Sequence, residues 1–305
     1  MVRHKRFIFA LLLFAAWTAS AQAVERIFES DEIVVQCEEP LRSAAMDVFR
    51  IYPAVRGELE KTLGRGPSFR PVVRLVSTRD SFRRLVENDL VVALAVPKRD
   101  LIVIDYSRMN VHPLTLETTL KHELCHLQLH HRVPEGNLPR WLDEGICQWV
   151  TGGAAEIITD GSRSALKEAV LSNRFLSIDD MTARFPSGGR EFLLAYEESE
   201  SIVEYIGRES GRSAVVEMLK YLGEGRDIDQ AVEKALGVSL SELEKKWRAD
   251  LVKKRSWIAY LGGSLYELLF LLAAIITVCG FVRVMIRKRS YKDEEEESDE
   301  KNGKI

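Results

Sequence analysis

The residues best suited to chemistry lie in one short segment, His122-Glu123-Leu124-Cys125-His126, which has the pattern HExxH. The flanking residues 116–129 are apolar at helical spacing, so the segment is predicted to lie on a helix. Residues four positions apart share one face of a helix, and His122 and His126 can therefore present two imidazoles to one ion while Glu123 lies beside it. The pattern predicts a zinc site; the alternative is a pair of histidines on an ordinary helix.

A catalytic zinc ion usually has three protein ligands and keeps a fourth position for water, so a further donor is needed. His130 and His131 follow closely along the chain. In the spacing HExxHxxGxxH, however, Gly would stand at position 129 and His at position 132, where this chain has Leu129 and Arg132. The sequence therefore argues against a third histidine ligand.

Glu144 is the other candidate for the third ligand, within the segment LPRWLDEG at residues 138–145. Pro139 suits the first turn of a new helix, because the N–H that it lacks has no helical partner there in any case. A short loop would then fold this second helix back onto the first. Asp143 is the nearest competitor of Glu144 for the same role.

The two segments together resemble the gluzincin peptidases, and most closely the peptidase MA-like domains, whose pattern is HELxH, a short insert and then WLxEG. In that family the Glu of the second motif is the third zinc ligand, a role that the resemblance assigns to Glu144. Similarity of lower specificity continues along the chain, so the resemblance covers roughly residues 30–255; it includes Ala195-Tyr196, residues 201–206, residues 235–240, Glu244 and Trp247. The Cys of HELCH is unusual there and leaves the role of Cys125 open.

The mechanism follows from the expected ion. Zinc lowers the pKa of a bound water to about 7 and polarises a substrate carbonyl. Glu123 is then the general base that takes the proton of the water and passes it to the leaving amine. A developing oxyanion also needs a neutral donor. Related metallopeptidases use a Tyr or His from the following helical region, so the resemblance makes Tyr196 the candidate, with a buried core tyrosine as the alternative interpretation. His112 is a weaker candidate for the same task.

The first residues have the order of a secretory signal peptide. Basic residues at positions 3, 5 and 6 precede the apolar run 7–17, and Ala21-Gln22-Ala23 has the small-x-small form of a cleavage site. We therefore predict a signal peptide over residues 1–23 and a mature chain that starts at Val24. The alternative is an uncleaved anchor, for which the apolar run is short.

A second apolar segment, residues 257–286, is predicted to form one transmembrane helix. Residues 268–282 carry no charge, and Trp257, Tyr260 and Tyr266 border them, as is typical of the membrane interface. Basic residues flank both sides, so the signal peptide decides the orientation: the catalytic domain is exported (periplasmic or extracytoplasmic), and the tail is cytoplasmic. That acidic tail, residues 287–305, is expected to be unstructured.

Three cysteines, Cys37, Cys125 and Cys147, lie in the part that is expected to be exported. Cys125 follows His122 by three residues and Cys147 follows Glu144 by three, so each lies one helical turn from a predicted zinc ligand. This symmetry suggests a disulfide bond between Cys125 and Cys147 that would hold the two ligand helices together, with buried free thiols as the alternative.

The composition is that of a globular protein, with 46% hydrophobic and 29% charged residues. The net charge of −3 and the scattered basic residues argue against a nucleic-acid partner. No internal repeat or low-complexity linker interrupts residues 24–255, so we predict one domain. Its fold class is α+β: a mixed α/β part over residues 24–110, then a helical zincin part over residues 111–255 that carries HExxH.

Local patterns predict the elements of this domain. Short aliphatic or β-branched runs predict strands over residues 32–36, 71–76, 91–95 and 101–105. Helical spacing predicts helices over residues 41–63, with Pro53 kinking or dividing the helix, and over residues 81–88. Further helices are predicted over residues 192–209, 213–222, 228–236 and 240–252, with Gly211, Gly223 and Gly237 as stops.

Two functions of different classes fit these observations. The first is a membrane-tethered zinc metallopeptidase that hydrolyses proteins or peptides outside the cytoplasm. The second is a binding or assembly module at the membrane that keeps the zincin fold without turnover. The complete set of His122, Glu123, His126 and Glu144 favours the peptidase, because a purely structural metal site has no need of Glu123. The substrate and the oligomeric state have no signature in the sequence.

Overall fold

The computed structural model describes residues 25–86, 91–109, 114–153 and 164–302. The described residues divide into two compact units. Unit 1 contains those up to Arg132 and residues 146–153, and unit 2 contains Val133–Gly145 and the residues from 164 onward. The predicted signal peptide, residues 1–23, lies outside the described residues.

Unit 1 contains a five-stranded sheet in the order β1-β2-β3-β5-β4. The central strands β2, β3 and β5 run parallel, whereas the edge strands β1 and β4 pair antiparallel with their neighbours. Val73 lies opposite both Val35 and Ile102, and all three side chains are buried, so the register aligns apolar residues across the sheet. The strands are β1 (Glu25–Glu29), β2 (Val34–Glu38), β3 (Val72–Val76), β4 (Ala93–Val96) and β5 (Leu101–Asp105).

The described residues of unit 1 before Val133 also form three α-helices, namely α1 (Arg42–Leu63), α2 (Arg79–Arg83) and α3 (Leu116–Arg132), and three short 3-10 helices. Helix α1 packs against β2 and α3, and it buries Val48, Val55 and Leu59 at helical spacing. It is capped by Gly64, whose φ of 75° is in the left-handed region and whose N–H donates to the carbonyl of Glu60. Helix α3 packs against β4 and β5 as well as α1.

Helix α4 (Arg140–Thr151) belongs to unit 2 as far as Gly145 and to unit 1 from Ile146 onward. The remaining helices belong to unit 2. They are α5 (Ala165–Ser172), α6 (Ile178–Ala183), α7 (Gly189–Glu209), α8 (Arg212–Gly223), α9 (Ile228–Leu236) and α10 (Leu240–Asn302). Helix α7 packs against α5 and α8, and its Glu197 accepts from the backbone N–H of Ala165 and of Leu166 at the start of α5.

Helix α10 begins in the core of unit 2, where Leu243 and Trp247 are buried and the Trp247 indole N–H donates to Ser201 (3.0 Å). It continues to Asn302. Its segment Leu269–Lys288 is long and apolar enough, by length and composition, to cross a membrane. This segment overlaps the transmembrane helix that the sequence predicts.

The architecture agrees with the prediction of a mixed α/β fold that is mostly helical, and β5 and α9 have the predicted boundaries. Strand β1 and helices α5 and α6 were not predicted, and α2 is shorter than expected. Helix α3 belongs to the same unit as the sheet, whereas the prediction placed it with the helical part.

Two local predictions need correction. Pro53 does not divide α1, which continues through it, because the loss of one backbone hydrogen bond is offset by the buried Tyr52 and Val55 on either side. The kink at Pro53 stays a prediction. The tail was expected to be unstructured, but it is helical as far as Asn302, where α10 ends. Glu, Lys and Arg, which dominate this segment, are good helix formers, and a helix already formed needs no new nucleus to extend.

Candidate metal centre

Helix α3 carries the HExxH segment and begins with a side-chain cap. The hydroxyl of Thr115 accepts from the backbone N–H of Thr118 at 3.1 Å, which satisfies one of the amides that a helix start leaves without an intrahelical partner. The helix contains neither Gly nor Pro. Leu120, Leu124 and Leu127 are fully buried, so apolar packing fixes the helix that presents the two histidines.

The two histidines face each other across one turn of α3. Their Nε2 atoms lie 3.1 Å apart, and their ring centroids are 4.8 Å apart in an edge-on arrangement. Two nitrogens that each stand about 2.0–2.1 Å from one tetrahedral zinc ion would be about 3.3 Å apart. The separation of His122 and His126 therefore fits two ligands of one ion.

Glu123 directly follows His122 in the sequence, and both residues are completely buried. Burying an ionisable carboxyl group in a protein interior is unfavourable, so such positions are rarely occupied by Glu for stability alone. Ionisable groups in buried clusters are common at catalytic sites. The burial of Glu123 therefore supports a chemical role and not a surface one.

Glu144 lies on helix α4 and is buried, with 5% of the residue exposed. The next residue, Gly145, faces the backbone of α7 so closely that a Cβ atom would lie 2.4 Å from the carbonyl oxygen of Ser199. Only glycine fits such an approach. Gly145 therefore allows the first half of α4 to lie against α7, which carries Tyr196.

The carboxylate of Glu144 belongs to a small polar network. The Tyr196 hydroxyl donates to its Oε1 at 2.7 Å, and the Nε–H of Arg140 donates to the same oxygen at 3.3 Å. Arg140 also donates from Nη2 to the Tyr196 hydroxyl oxygen at 3.3 Å. Tyr196 and Arg140 thus hold one oxygen of Glu144, and they fix the direction of the whole carboxylate.

Aromatic rings hold this network in place. The Arg140 guanidinium lies 4.9 Å from the ring centre of Phe185, and the Tyr196 ring contacts Phe185 and Phe192. Burial by itself lowers the pKa of Arg140, but Tyr196 and Glu144 outweigh burial and leave its pKa above the usual value. Arg140 therefore stays a cation beside the carboxylate.

Cys147 lies one turn after Glu144 on α4, and its Sγ is 3.4 Å from Nδ1 of His126. Cys125 and Cys147 are both buried free thiols. The predicted disulfide bond between them is therefore absent, because the sulfur of Cys147 is directed at the imidazole of His126.

Buried His and Glu side chains that could hold a metal ion are thus present among the described residues, namely His122, His126 and Glu144. The family model of the Peptidase MA superfamily matches residues 84–253, more than half of the chain. The chain belongs to the Peptidase MA superfamily. A comparison with curated proteins gives no significant match.

Solved structures similar to this Peptidase MA chain include an M1 zinc metallopeptidase from Deinococcus radiodurans. It has a TM-score of 0.45 and 14% identity, over 74% of this chain and 51% of that one. An aminopeptidase A from Legionella pneumophila in complex with aspartic acid has a TM-score of 0.45 and 14% identity, over 73% of this chain and 27% of that one. The chain thus spans about half or less of the length of these proteins.

The structure of this Peptidase MA chain brings His122 together with His126, and Glu144 together with Tyr196. Asp143 is also buried on α4. His112 lies outside the described residues.

Sequence reasoning missed Arg140, although its spacing of four residues from Glu144 on one helix indicates an ion pair. The contact of Cys147 with His126 has no such signal, because it joins two helices.

Proposed function

We propose that the chain is a membrane-tethered zinc metallopeptidase that hydrolyses peptide bonds of proteins or peptides outside the cytoplasm. The observation that carries the proposal is the pair of Nε2 atoms of His122 and His126, 3.1 Å apart on a buried helix that also carries the fully buried Glu123. Membership of the Peptidase MA superfamily supports it. The M1 zinc metallopeptidases among the similar structures act as precedents for the metal.

In this proposal His122, His126 and Glu144 hold the zinc ion. Two imidazoles and one carboxylate are the donor set of many catalytic zinc sites, and they leave a position open for water. When bound, zinc supplies a water of lowered pKa and polarises the carbonyl of the scissile bond. Arg140 and Tyr196 orient Glu144, since both donate to its Oε1.

Glu123 acts as the general base. Its carboxylate accepts a proton from the attacking water and then donates that proton to the nitrogen of the leaving amine. Its complete burial keeps bulk water from competing for the proton. Glu123 is therefore the residue that distinguishes a peptidase from a metal-binding module.

Tyr196 stays the candidate donor to the oxyanion that forms during the reaction. A phenol has one proton, so its hydroxyl can donate either to Glu144, as in this structure, or to an oxyanion. Arg140, which donates to the Tyr196 oxygen in either case, keeps the hydroxyl in position. Catalysis through Tyr196 would thus require its hydrogen bond to change partner.

The membrane tether is the segment Leu269–Lys288 of α10. A signal peptide over residues 1–23 would export the domain, and the chain would then stop at its first long apolar helix with the tail in the cytoplasm. The substrate would be a protein or peptide on the far side of that membrane.

The experiment that tests this function uses the full chain in detergent. We expect about one zinc ion per chain and cleavage of an unfolded protein substrate, lost on chelation and restored by zinc. If zinc binds but a broad peptide library stays intact, the chain is a non-catalytic binding or assembly module. If no zinc binds, the assignment of the metal centre is wrong.

A further inference from the structure

We infer that Cys147 is a positioning residue for His126: its sulfur accepts a hydrogen bond from the ring Nδ1–H and holds the imidazole in the orientation that directs Nε2 at the metal. This inference rests on the proposed zinc site. It assigns a role to a cysteine that the proposed reaction does not itself use.

The geometry that carries the inference is local to unit 1. The Sγ of Cys147 lies 3.4 Å from Nδ1 of His126, a hydrogen-bond distance for sulfur. Cys147 is completely buried and His126 is 7% exposed, so little bulk water reaches this contact. In a low-dielectric interior such a bond is stronger than it would be at the surface.

The direction of the bond follows from the chemistry of imidazole. The Nε2 of His126 faces Nε2 of His122 and is the atom placed for the metal. A neutral imidazole that ligates through Nε2 carries its proton on Nδ1, so Nδ1 donates and the sulfur of Cys147 accepts. A carboxylate, a carbonyl oxygen or a water usually accepts this bond from a metal-binding histidine.

The position of Cys147 on α4 gives the bond a second consequence. Glu144 precedes Cys147 by three residues, so both lie on the same side of one helix. Helix α4 therefore carries one proposed zinc ligand and the group that orients another.

Cys125 provides a matched control within the same chain. It is a buried free thiol like Cys147, and it is adjacent to His126 in sequence. Successive residues of a helix point about 100° apart, so Cys125 does not share the direction of the His126 side chain. Replacing Cys125 therefore removes the same number of buried atoms without removing the contact with Nδ1.

The test compares Cys147→Ala, Cys147→Ser and Cys125→Ala in the full chain. Zinc dissociation constants are measured by competition with a chelator, and thermal unfolding of the metal-free proteins reports folding. We expect Cys147→Ala to raise the dissociation constant about 10- to 100-fold, the range typical of lost hydrogen-bond partners of ligands. Cys147→Ser, which restores an acceptor, should recover part of this loss, and Cys125→Ala should leave the constant unchanged.

Cobalt substitution supplies a readout of the ligands and geometry of the bound ion itself. The visible absorption of bound cobalt should change in Cys147→Ala and not in Cys125→Ala, with no sulfur-to-cobalt charge-transfer band in the parent. Such a band, lost in Cys147→Ala, would make Cys147 a ligand and overturn the inference. Equal effects of the two alanine variants, or a serine variant no better than alanine, would also overturn it.

The failure of the inference can be told from that of the proposed function. A parent chain that binds zinc and cleaves substrate, together with a Cys147→Ala variant of unchanged zinc affinity, overturns the role of Cys147 alone. A parent chain that binds no zinc overturns both.

Discussion

The two halves of the proposed ligand set are built in different ways. In unit 1, His122 and His126 are one turn apart on a single helix, so the helix alone places both side chains on one face, where their Nε2 atoms are 3.1 Å apart. In unit 2, the direction of Glu144 depends on Arg140 one turn earlier and on Tyr196 from another helix. The histidine pair is thus a local feature, whereas the carboxylate depends on tertiary packing.

The largest effect should come from removing a ligand of the local pair. We expect His126→Ala to lower zinc content below detection and to abolish peptidase activity, because a single imidazole and a carboxylate hold zinc poorly. The control is His131→Ala, on the same helix, whose imidazole is partly exposed, stacks on Phe69 and contacts Asp100. Metal analysis of both variants after dialysis checks this. Full zinc occupancy in His126→Ala would contradict the ligand assignment.

An intermediate effect should come from the packing-dependent half. Tyr196→Phe removes the 2.7 Å hydrogen bond to Glu144 and keeps the ring, so we expect zinc affinity to fall about 10-fold or more. The control is Tyr52→Phe, which changes a buried tyrosine of unit 1. If Tyr196→Phe lowers kcat and leaves zinc affinity unchanged, the hydroxyl serves the oxyanion and does not orient the ligand.

A similar or smaller effect should appear in stability when α4 is pushed away from α7. A Cβ at Gly145 would lie 2.4 Å from the Ser199 carbonyl oxygen, so we expect Gly145→Ala to destabilise the protein by about 1–3 kcal/mol. Gly57→Ala, in the interior of α1 where no atom lies within 4 Å of the added Cβ, should instead stabilise by about 0.5–1 kcal/mol. Denaturant unfolding measures both. Equal changes in the free energy of unfolding of the two variants would contradict the close approach at Gly145.

The last effect is a pH dependence of stability that the structure places in unit 2. Burial raises the pKa of Glu198, on α7, from 4.5 to about 8, although the Leu176 N–H and Arg248 oppose the shift. The folded protein therefore binds a proton that the unfolded chain has lost between these values, and stability should fall as the pH rises from about 4.5 to about 8. Glu198→Gln should remove this part of the dependence.

Thermal unfolding at pH 5 and at pH 8 checks the role of Glu198. The control is Glu204→Gln on the exposed side of the same helix, which should keep the pH dependence of the parent chain. A parent chain whose stability is the same at both pH values would contradict the buried, protonated state of Glu198.

The sequence was sufficient where a feature is local. The helix that carries HExxH, strand β5 and helix α9 follow from patterns within a few residues, as does the proposal of two ligands on one face. Strand β1 was missed because its alternation is short and charged, and because it is defined by antiparallel pairing with β2 at the edge of the sheet. Propensity alone cannot supply such a partner.

The candidate site divides in the same way. Two motifs in the sequence are sufficient to select the candidate residues His122, Glu123, His126 and Glu144. The bond from Tyr196 to Glu144 joins residues 52 positions apart, and the contact of Cys147 with His126 joins residues 21 positions apart. The disulfide prediction was wrong for this reason: equal spacing from two ligands does not determine which way a cysteine on another helix points.

The central claim is that Glu123 is the general base of a zinc peptidase, and Glu123→Gln tests it most directly. The full chain and the variant are compared for zinc content and for cleavage of an unfolded protein substrate, with the exposed Glu117→Gln on the same helix as control. We predict one zinc ion in all three proteins, unchanged kcat in Glu117→Gln, and a kcat about 10²- to 10⁴-fold lower in Glu123→Gln. A Glu123→Gln variant that binds zinc and cleaves as fast as the parent chain would contradict the account.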